Sequence, residues 1–126
     1  MIPESKKREQ AHLDAFLLLL QKDVDAGCLV PSLLPSAWKE VLQQEWSSLL
    51  QKEESLVACA REKMQQVQGW RAKADLCEDF AMEISGLRLD LADKIWDEVL
   101  GSAYAPESKS ALAMEDALAW LCCSLC

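Results

Sequence analysis

Glycine and proline are scarce in this chain, and their scarcity limits the folds that it can adopt. The 126 residues include only four Gly and four Pro. A β-rich fold of this length would need a turn about every ten residues, each marked by such residues. Residues 36–68 contain neither, and residues 70–100 contain only Gly86. The sequence therefore predicts an all-α fold made of a few long helices.

Apolar residues recur at three- and four-residue spacing within the long segments, which is the period of an amphipathic helix. Gly27 and Gly101 are expected to end helices, Gly69 to end or kink one, Ser36 to cap one, and Pro106 to begin one. The second and third helices would form an antiparallel pair in a bundle. The prediction is a single helical domain over residues 1–126, with four helices at 5–26, 37–68, 70–100 and from 106 to the C-terminus.

One short stretch interrupts the apolar pattern of the second helix. Trp46, Leu49 and Leu56 lie on one stripe, but residues 51–54, Gln-Lys-Glu-Glu, are all polar. Two interpretations fit this stretch: a solvated turn within a continuous helix, or a break in the helix.

The chain is acidic, with a formal net charge of −8. Nucleic-acid binding needs clustered Lys and Arg to neutralise phosphates. The one basic run in the sequence, residues 6–8, is flanked by Glu4 and Glu9. We therefore expect no direct binding to nucleic acid or to an anionic membrane surface. No apolar run has the length of a membrane span or of a secretory signal, so we expect a cytoplasmic protein.

The six cysteines are irregularly spaced, which favours free thiols in a reducing compartment. Cys123 and Cys126 form the only CxxC, with Cys122 beside it, and His12 is the only histidine. A zinc site needs four ligands, and a redox CxxC needs a helix N-terminus, whereas this one lies at the C-terminal end of a predicted helix. We expect no cofactor, and no set of residues has the pattern of an enzyme active site.

The third helix carries the most informative pattern. At 100° per residue, its main apolar seam contains Leu87, Leu91 and Ile95, among others. A second apolar seam contains Met82, Leu89 and Trp96, spaced seven residues apart. A wedge of carboxylates, here called the acidic stripe, lies between the two seams. It consists of Asp75, Asp79, Glu83, Asp90, Asp93 and Asp97.

Two seams on one helix have two interpretations. Both can pack against neighbouring helices of the same bundle, or the second can face a partner, which is another protein or a second copy of the chain. The acidic stripe is either a solvated face or a surface for a basic partner. The sequence therefore suggests a non-enzymatic protein-binding module that uses the second seam beside the acidic stripe. The predicted contact residues are Met82, Leu89, Trp96, Asp79, Glu83, Asp90, Asp93 and Asp97. The alternatives are an acidic mimic of nucleic acid that inhibits a DNA- or RNA-binding protein, and a cysteine-based metal or redox protein.

Overall fold

The computed structural model of the chain describes residues 4–123 and confirms the all-α prediction. A 3₁₀ turn, Pro31–Leu33, lies between the first two helices, and the third helix continues into a π-helical turn, Trp96–Leu100. No β-strand is present within residues 4–123. The four α-helices are α1 (Glu4–Ala26), α2 (Trp38–Gln66), α3 (Trp70–Ile95) and α4 (Lys109–Cys123).

Two glycines with positive φ lie at the boundaries of the helices, Gly27 after α1 and Gly69 before α3. Gly27 has φ +74°, and its N–H donates to the carbonyl of Val24 while that of Cys28 donates to Asp23. This pair of bonds is the Schellman arrangement, which satisfies the last carbonyls of α1. Gly69 has φ +91° and allows the sharp turn from α2 into α3. Both positions were marked in the sequence.

Other predicted boundaries are wrong. Ser36 does not cap α2, because the helix begins at Trp38 with Ala37 at the cap position. Pro106 does not begin α4. Ser108 caps it instead, its hydroxyl accepting a hydrogen bond from the N–H of Ala111 at 3.1 Å. The last helix therefore starts at Lys109, after a loop that includes Pro106.

The antiparallel pairing of α2 and α3 is shown by the ion pairs between them. Glu45 pairs with Lys94, and Glu53, later in α2, pairs with Arg88, earlier in α3. α2 is continuous through residues 51–54, so of the two interpretations of this stretch the break is excluded. Glu53 occupies the helix face that Leu49 and the half-buried Leu56 also occupy, and its carboxylate points at α3 rather than into solvent.

Burial divides the α2–α3 pair into two parts. The buried residues of α2 lie between Trp38 and Leu49, and those of α3 between Arg88 and Ile95. No residue from 50 to 87 is fully buried. The first part belongs to a body that also contains α1 and α4. The second part, residues 54–66 and 70–87, is here called the hairpin arm.

Arg88 is the buried charge at the junction of the body and the arm, with 3 % of its surface exposed. Its guanidinium forms two parallel hydrogen bonds with Glu53, the Nη2–Oε2 distance being 2.9 Å. It also contacts Glu9 of α1 and the carbonyl of Cys122 of α4, each at 3.4 Å, and lies over the Trp46 ring. Burial lowers the pKa of Arg88, but the two carboxylates outweigh it and raise that pKa above its ordinary value. All four helices meet at this side chain.

The loop between α1 and α2 and the loop between α3 and α4 contact each other at the other end of the body. The N–H of Val30 donates to the carbonyl of Ala103 at 2.8 Å, and Leu29 forms an isolated β-bridge with Tyr104. The buried Tyr104 hydroxyl donates to Asp23 Oδ2 at 2.6 Å. Burial and the neighbouring Asp23 carboxylate both raise the pKa of Tyr104 well above its usual range.

Removing Glu53 should destabilise the fold, because it leaves the Arg88 charge buried with its main partner gone. We expect Glu53→Ala to lower the free energy of unfolding by roughly 2–4 kcal/mol. The matched control is Glu45→Ala, which removes another α2 carboxylate from an ion pair with α3. That pair is solvent-exposed and should contribute little. Urea unfolding followed by circular dichroism measures both, and equal losses would contradict the role of Arg88.

Tyr104 is the only tyrosine in the chain, so its ionisation can be followed directly by absorbance at 295 nm. In the folded protein it should stay protonated as the pH passes about 10, where an unfolded tyrosine titrates. Because the unfolded chain then loses this proton first, stability should fall as the pH rises above that value. Tyr104→Phe should cost roughly 1.5–3 kcal/mol at neutral pH and remove this part of the alkaline loss. A titration midpoint near that of the denatured chain would show that the hydroxyl is not held as described.

Candidate protein-binding surface

The acidic stripe lies on the solvent side of α3. Its six carboxylate residues are all exposed. No ion pair in the described part of the chain includes any of them, although Lys94 on the same helix is paired with Glu45. The stripe is therefore an uncompensated negative surface on one helix.

The second seam is divided between solvent and the body. Met82 is 67 % exposed and Leu89 is 54 % exposed, whereas Trp96 is half-buried against the core. The seam as a whole is thus not covered by a neighbouring helix of the bundle. Met82 lies on the hairpin arm, and Leu89 lies just where α3 enters the body.

Trp96 is held in place by stacking and by the backbone of the π-helical turn. Its ring stacks on Tyr104, with centroids 5.9 Å apart and planes 17° from parallel. The N–H of Gly101 donates to the Trp96 carbonyl at 2.6 Å. Gly101 has φ −58°, so it does not end the helix in the left-handed conformation that the sequence predicted. Its lack of a side chain serves instead to admit the Trp96 carbonyl and indole.

A groove runs between α3 and α4 beside the second seam. Its volume is about 350 Å³. Leu89, Trp96 and Leu118 contribute apolar side chains, and the carboxylates of Asp93 and Glu115 stand on opposite helices. The complete lining is Leu89, Ala92, Asp93, Trp96, Glu115, Leu118 and Ala119. Two predicted contact residues from the seam and one from the stripe therefore share a single concave surface.

The exposed side of α4 adds apolar surface that the sequence reasoning missed. Leu112 is 52 % exposed and Trp120 is 67 % exposed, with Ala119 between the groove and Trp120. The Trp120 ring meets His12 of α1 edge to face, at 6.2 Å between centroids. The available signal was that apolar residues occur on every face of α4, more than one buried side requires. A further exposed pair, Leu18 and Leu19, lies on α1.

The cysteines do not form a metal site in the described region. Cys28, Cys59 and Cys77 have free thiols, whereas Cys122 is buried. No group of three or more His, Cys, Asp or Glu side chains within residues 4–123 is arranged to hold a metal ion. Cys126 of the CxxC lies outside the described residues.

Comparison of the chain with protein-family models, with curated protein sequences and with solved structures finds no significant match. The helices of the described part are also each too short or too polar to cross a bilayer.

Two glycines of the same helical segment should respond oppositely to alanine. A Cβ on Gly101 would lie 2.8 Å from the Trp96 carbonyl oxygen, so Gly101→Ala should cost roughly 1–3 kcal/mol and disturb the indole. A Cβ on Gly86 meets nothing within 4 Å, so Gly86→Ala should stabilise the helix by up to about 1 kcal/mol. Thermal unfolding and tryptophan fluorescence test both changes. A Gly101→Ala protein as stable as Gly86→Ala would contradict the tight π-helical turn.

Proposed function

We propose that this chain is a non-enzymatic protein-binding module, an adaptor, regulator or inhibitor, whose α3–α4 groove receives an apolar segment of a basic partner. The observation that carries the proposal is the exposed Leu89 in a groove flanked by the carboxylates of Asp93 and Glu115. The groove is the place where the second seam and the acidic stripe meet.

The apolar part of this surface supplies the free energy of binding. Leu89 lines the groove, Met82 lies two turns earlier on α3, and Leu112 and Trp120 are further exposed apolar residues on α4. Exposed apolar surface of this kind on a small protein is typical of an interaction site. Trp96 forms a rigid wall because the body already holds it by stacking, so binding need not order it.

The charges select the partner. The flanking Asp93 and Glu115 would each pair with a Lys or Arg beside an apolar anchor. The rest of the acidic stripe continues the negative field along α3, which speeds the approach of a basic surface. The free thiols of Cys28, Cys59 and Cys77 are consistent with a reducing compartment, and we propose that the protein is cytoplasmic.

Leu89→Arg tests the proposal, because it places a bulky cation in the groove where the partner would bind. The tagged wild-type chain and the variant are used to capture proteins from the native cells, and bound proteins are quantified by mass spectrometry. The partner should fall at least about tenfold in the Leu89→Arg sample, as for a central contact.

Leu33→Arg is the matched control. Leu33 is 55 % exposed against 54 % for Leu89, so the same change of charge and size is made at an equally exposed leucine that does not line the groove. The control should retain the partner. Equal capture by both variants would contradict binding at the groove.

An acidic mimic of nucleic acid is the second candidate, because all six carboxylates of the stripe are exposed and outside the ion pairs described. The variant Asp79→Asn, Asp90→Asn, Asp97→Asn separates the two candidates. It neutralises half the stripe but leaves the groove residues unchanged. A mimic should lose its partner, with binding that weakens steeply with salt, whereas groove binding should persist.

A further inference from the structure

The hairpin arm extends beyond the described parts of the two other helices. The Arg88 cluster joins α3 to Glu9 in the early part of α1 and to Cys122 near the described end of α4. Residues 54–66 and 70–87 lie beyond this cluster and include no fully buried side chain. The tip of the arm, with the turn at Gly69, is therefore open to contact with another molecule.

The tip has the opposite charge to the rest of the protein. Residues 61–73 include Arg61, Lys63, Arg71 and Lys73 but only one acidic residue, Glu62, in a chain of net charge −8. Trp70 stands among them with 76 % of its surface exposed. The Arg71 guanidinium lies 5.6 Å from the Trp70 ring centroid. The tip is thus an exposed aromatic side chain with a basic group against it.

The groove and the tip have complementary chemistry. The groove presents apolar side chains between two carboxylates, and the tip presents an indole beside a guanidinium. Both belong to α3, with the tip at its first turn and the groove near its last turns. Two copies of the chain could therefore satisfy each other if their α3 helices ran antiparallel.

The spacing along α3 supports one register for such a pair. Arg71, Met82 and Asp93 are separated by eleven residues each, which is close to three helical turns, so they share one face. Met82 lies midway and is 67 % exposed. With a two-fold axis at Met82, Arg71 of one copy would face Asp93 of the other, and the contact would occur twice.

The same register places Trp70 on the side of the helix pair where the groove of the other copy opens. Trp70 is eighteen residues, or five turns, before Arg88, and so lies on the same side of α3. That side faces α4, because Arg88 contacts the Cys122 carbonyl and Ala92 lines the groove. A two-fold axis perpendicular to the plane of the paired helices leaves this side of both helices on one side of the pair. Trp70 of one copy then lies on the same side as the α3–α4 groove of the other.

We propose that the chain forms a symmetric homodimer through antiparallel α3 helices, with Met82 at the two-fold axis and the Trp70–Arg71 tip of each copy at the groove of its partner. This inference builds on the proposed function, since it concerns the same groove. It adds that a second copy occupies the groove when no other partner does. Self-association and partner binding would then compete.

Sedimentation equilibrium over a concentration series tests the dimer with charge-exchanged full-length chains. Wild type should associate reversibly. Arg71→Glu and Asp93→Arg should each weaken the dimer at least about tenfold, because symmetry places two pairs of like charges in contact. The combined Arg71→Glu, Asp93→Arg chain should recover the wild-type dissociation constant to within about threefold, since both pairs are restored in reverse.

Lys22→Glu is the control for net charge, because it makes the same charge change at an exposed residue of α1. It should leave the dimer unchanged. A monomeric wild type at every concentration would overturn the proposal. So would a dimer that Arg71→Glu does not weaken, or single variants that the combination does not rescue. Binding of a monomeric chain to anionic vesicles through its tip would also overturn it.

The outcome is separable from that of the proposed function. Arg71→Glu leaves every groove residue in place, so a chain made monomeric by it should still capture a groove partner, and more of it than wild type does. If the dimer fails this test while Leu89→Arg still loses the partner, the groove proposal stands without self-association. If the charge exchange behaves as expected and Leu89→Arg captures normally, the dimer stands without the partner.

Discussion

The ion pair between Arg88 and Glu53 determines how the rest of the molecule is arranged. A guanidinium removed from water costs several kcal/mol unless its hydrogen bonds are supplied by the protein. Here they come from α2, α1 and the last turn of α4, while Trp46 covers one face of the group. The carbonyl of Cys122 belongs to the negative end of α4, where a cation is favourable. Because one side chain needs all these partners at once, it fixes the register of α2 on α3 and the level at which α1 and α4 meet them.

The same cluster explains why the second seam is divided. On the body side of the cluster, α4 lies beside α3, and Trp96 packs against the core and stacks on Tyr104. On the arm side of the cluster, only the first residues of α1, residues 4–8, continue within the described part of the chain, and Met82 is exposed to solvent. Leu89 is next to Arg88 in the chain but points away from the cluster, into the groove. The exposure of this surface is therefore a consequence of helix length rather than of composition.

These points mark the limit of what the sequence could predict. Helix number and type followed from apolar period and from Gly27 and Gly69, because those signals act over a few residues. The buried position of Glu53 could not be predicted from the sequence. It continues the apolar stripe of α2, but it lies in a run of polar residues that is typical of a solvated turn. Its structural role depends on the ion pair with Arg88, which is thirty-five residues away in the sequence. The start of α4 was missed for a local reason: a serine hydroxyl at Ser108 outweighed the preference of Pro106 for a first helical turn. For the surface, the seam and stripe were found by period alone, but the groove required knowing where α4 lies.

The charge distribution of α3 supports a role between molecules rather than within one. The helix dipole favours acidic groups in the first turn and basic groups in the last. α3 has Arg71 and Lys73 in its first turn and no acidic residue there, whereas its last turns carry both Asp93 and Lys94. The basic first turn costs the isolated helix a few tenths of a kcal/mol. An antiparallel neighbour would offset that cost, because it brings Asp93 of one helix to the basic start of the other. Charges placed against their own helix dipole are thus accounted for if α3 is a surface that another chain covers.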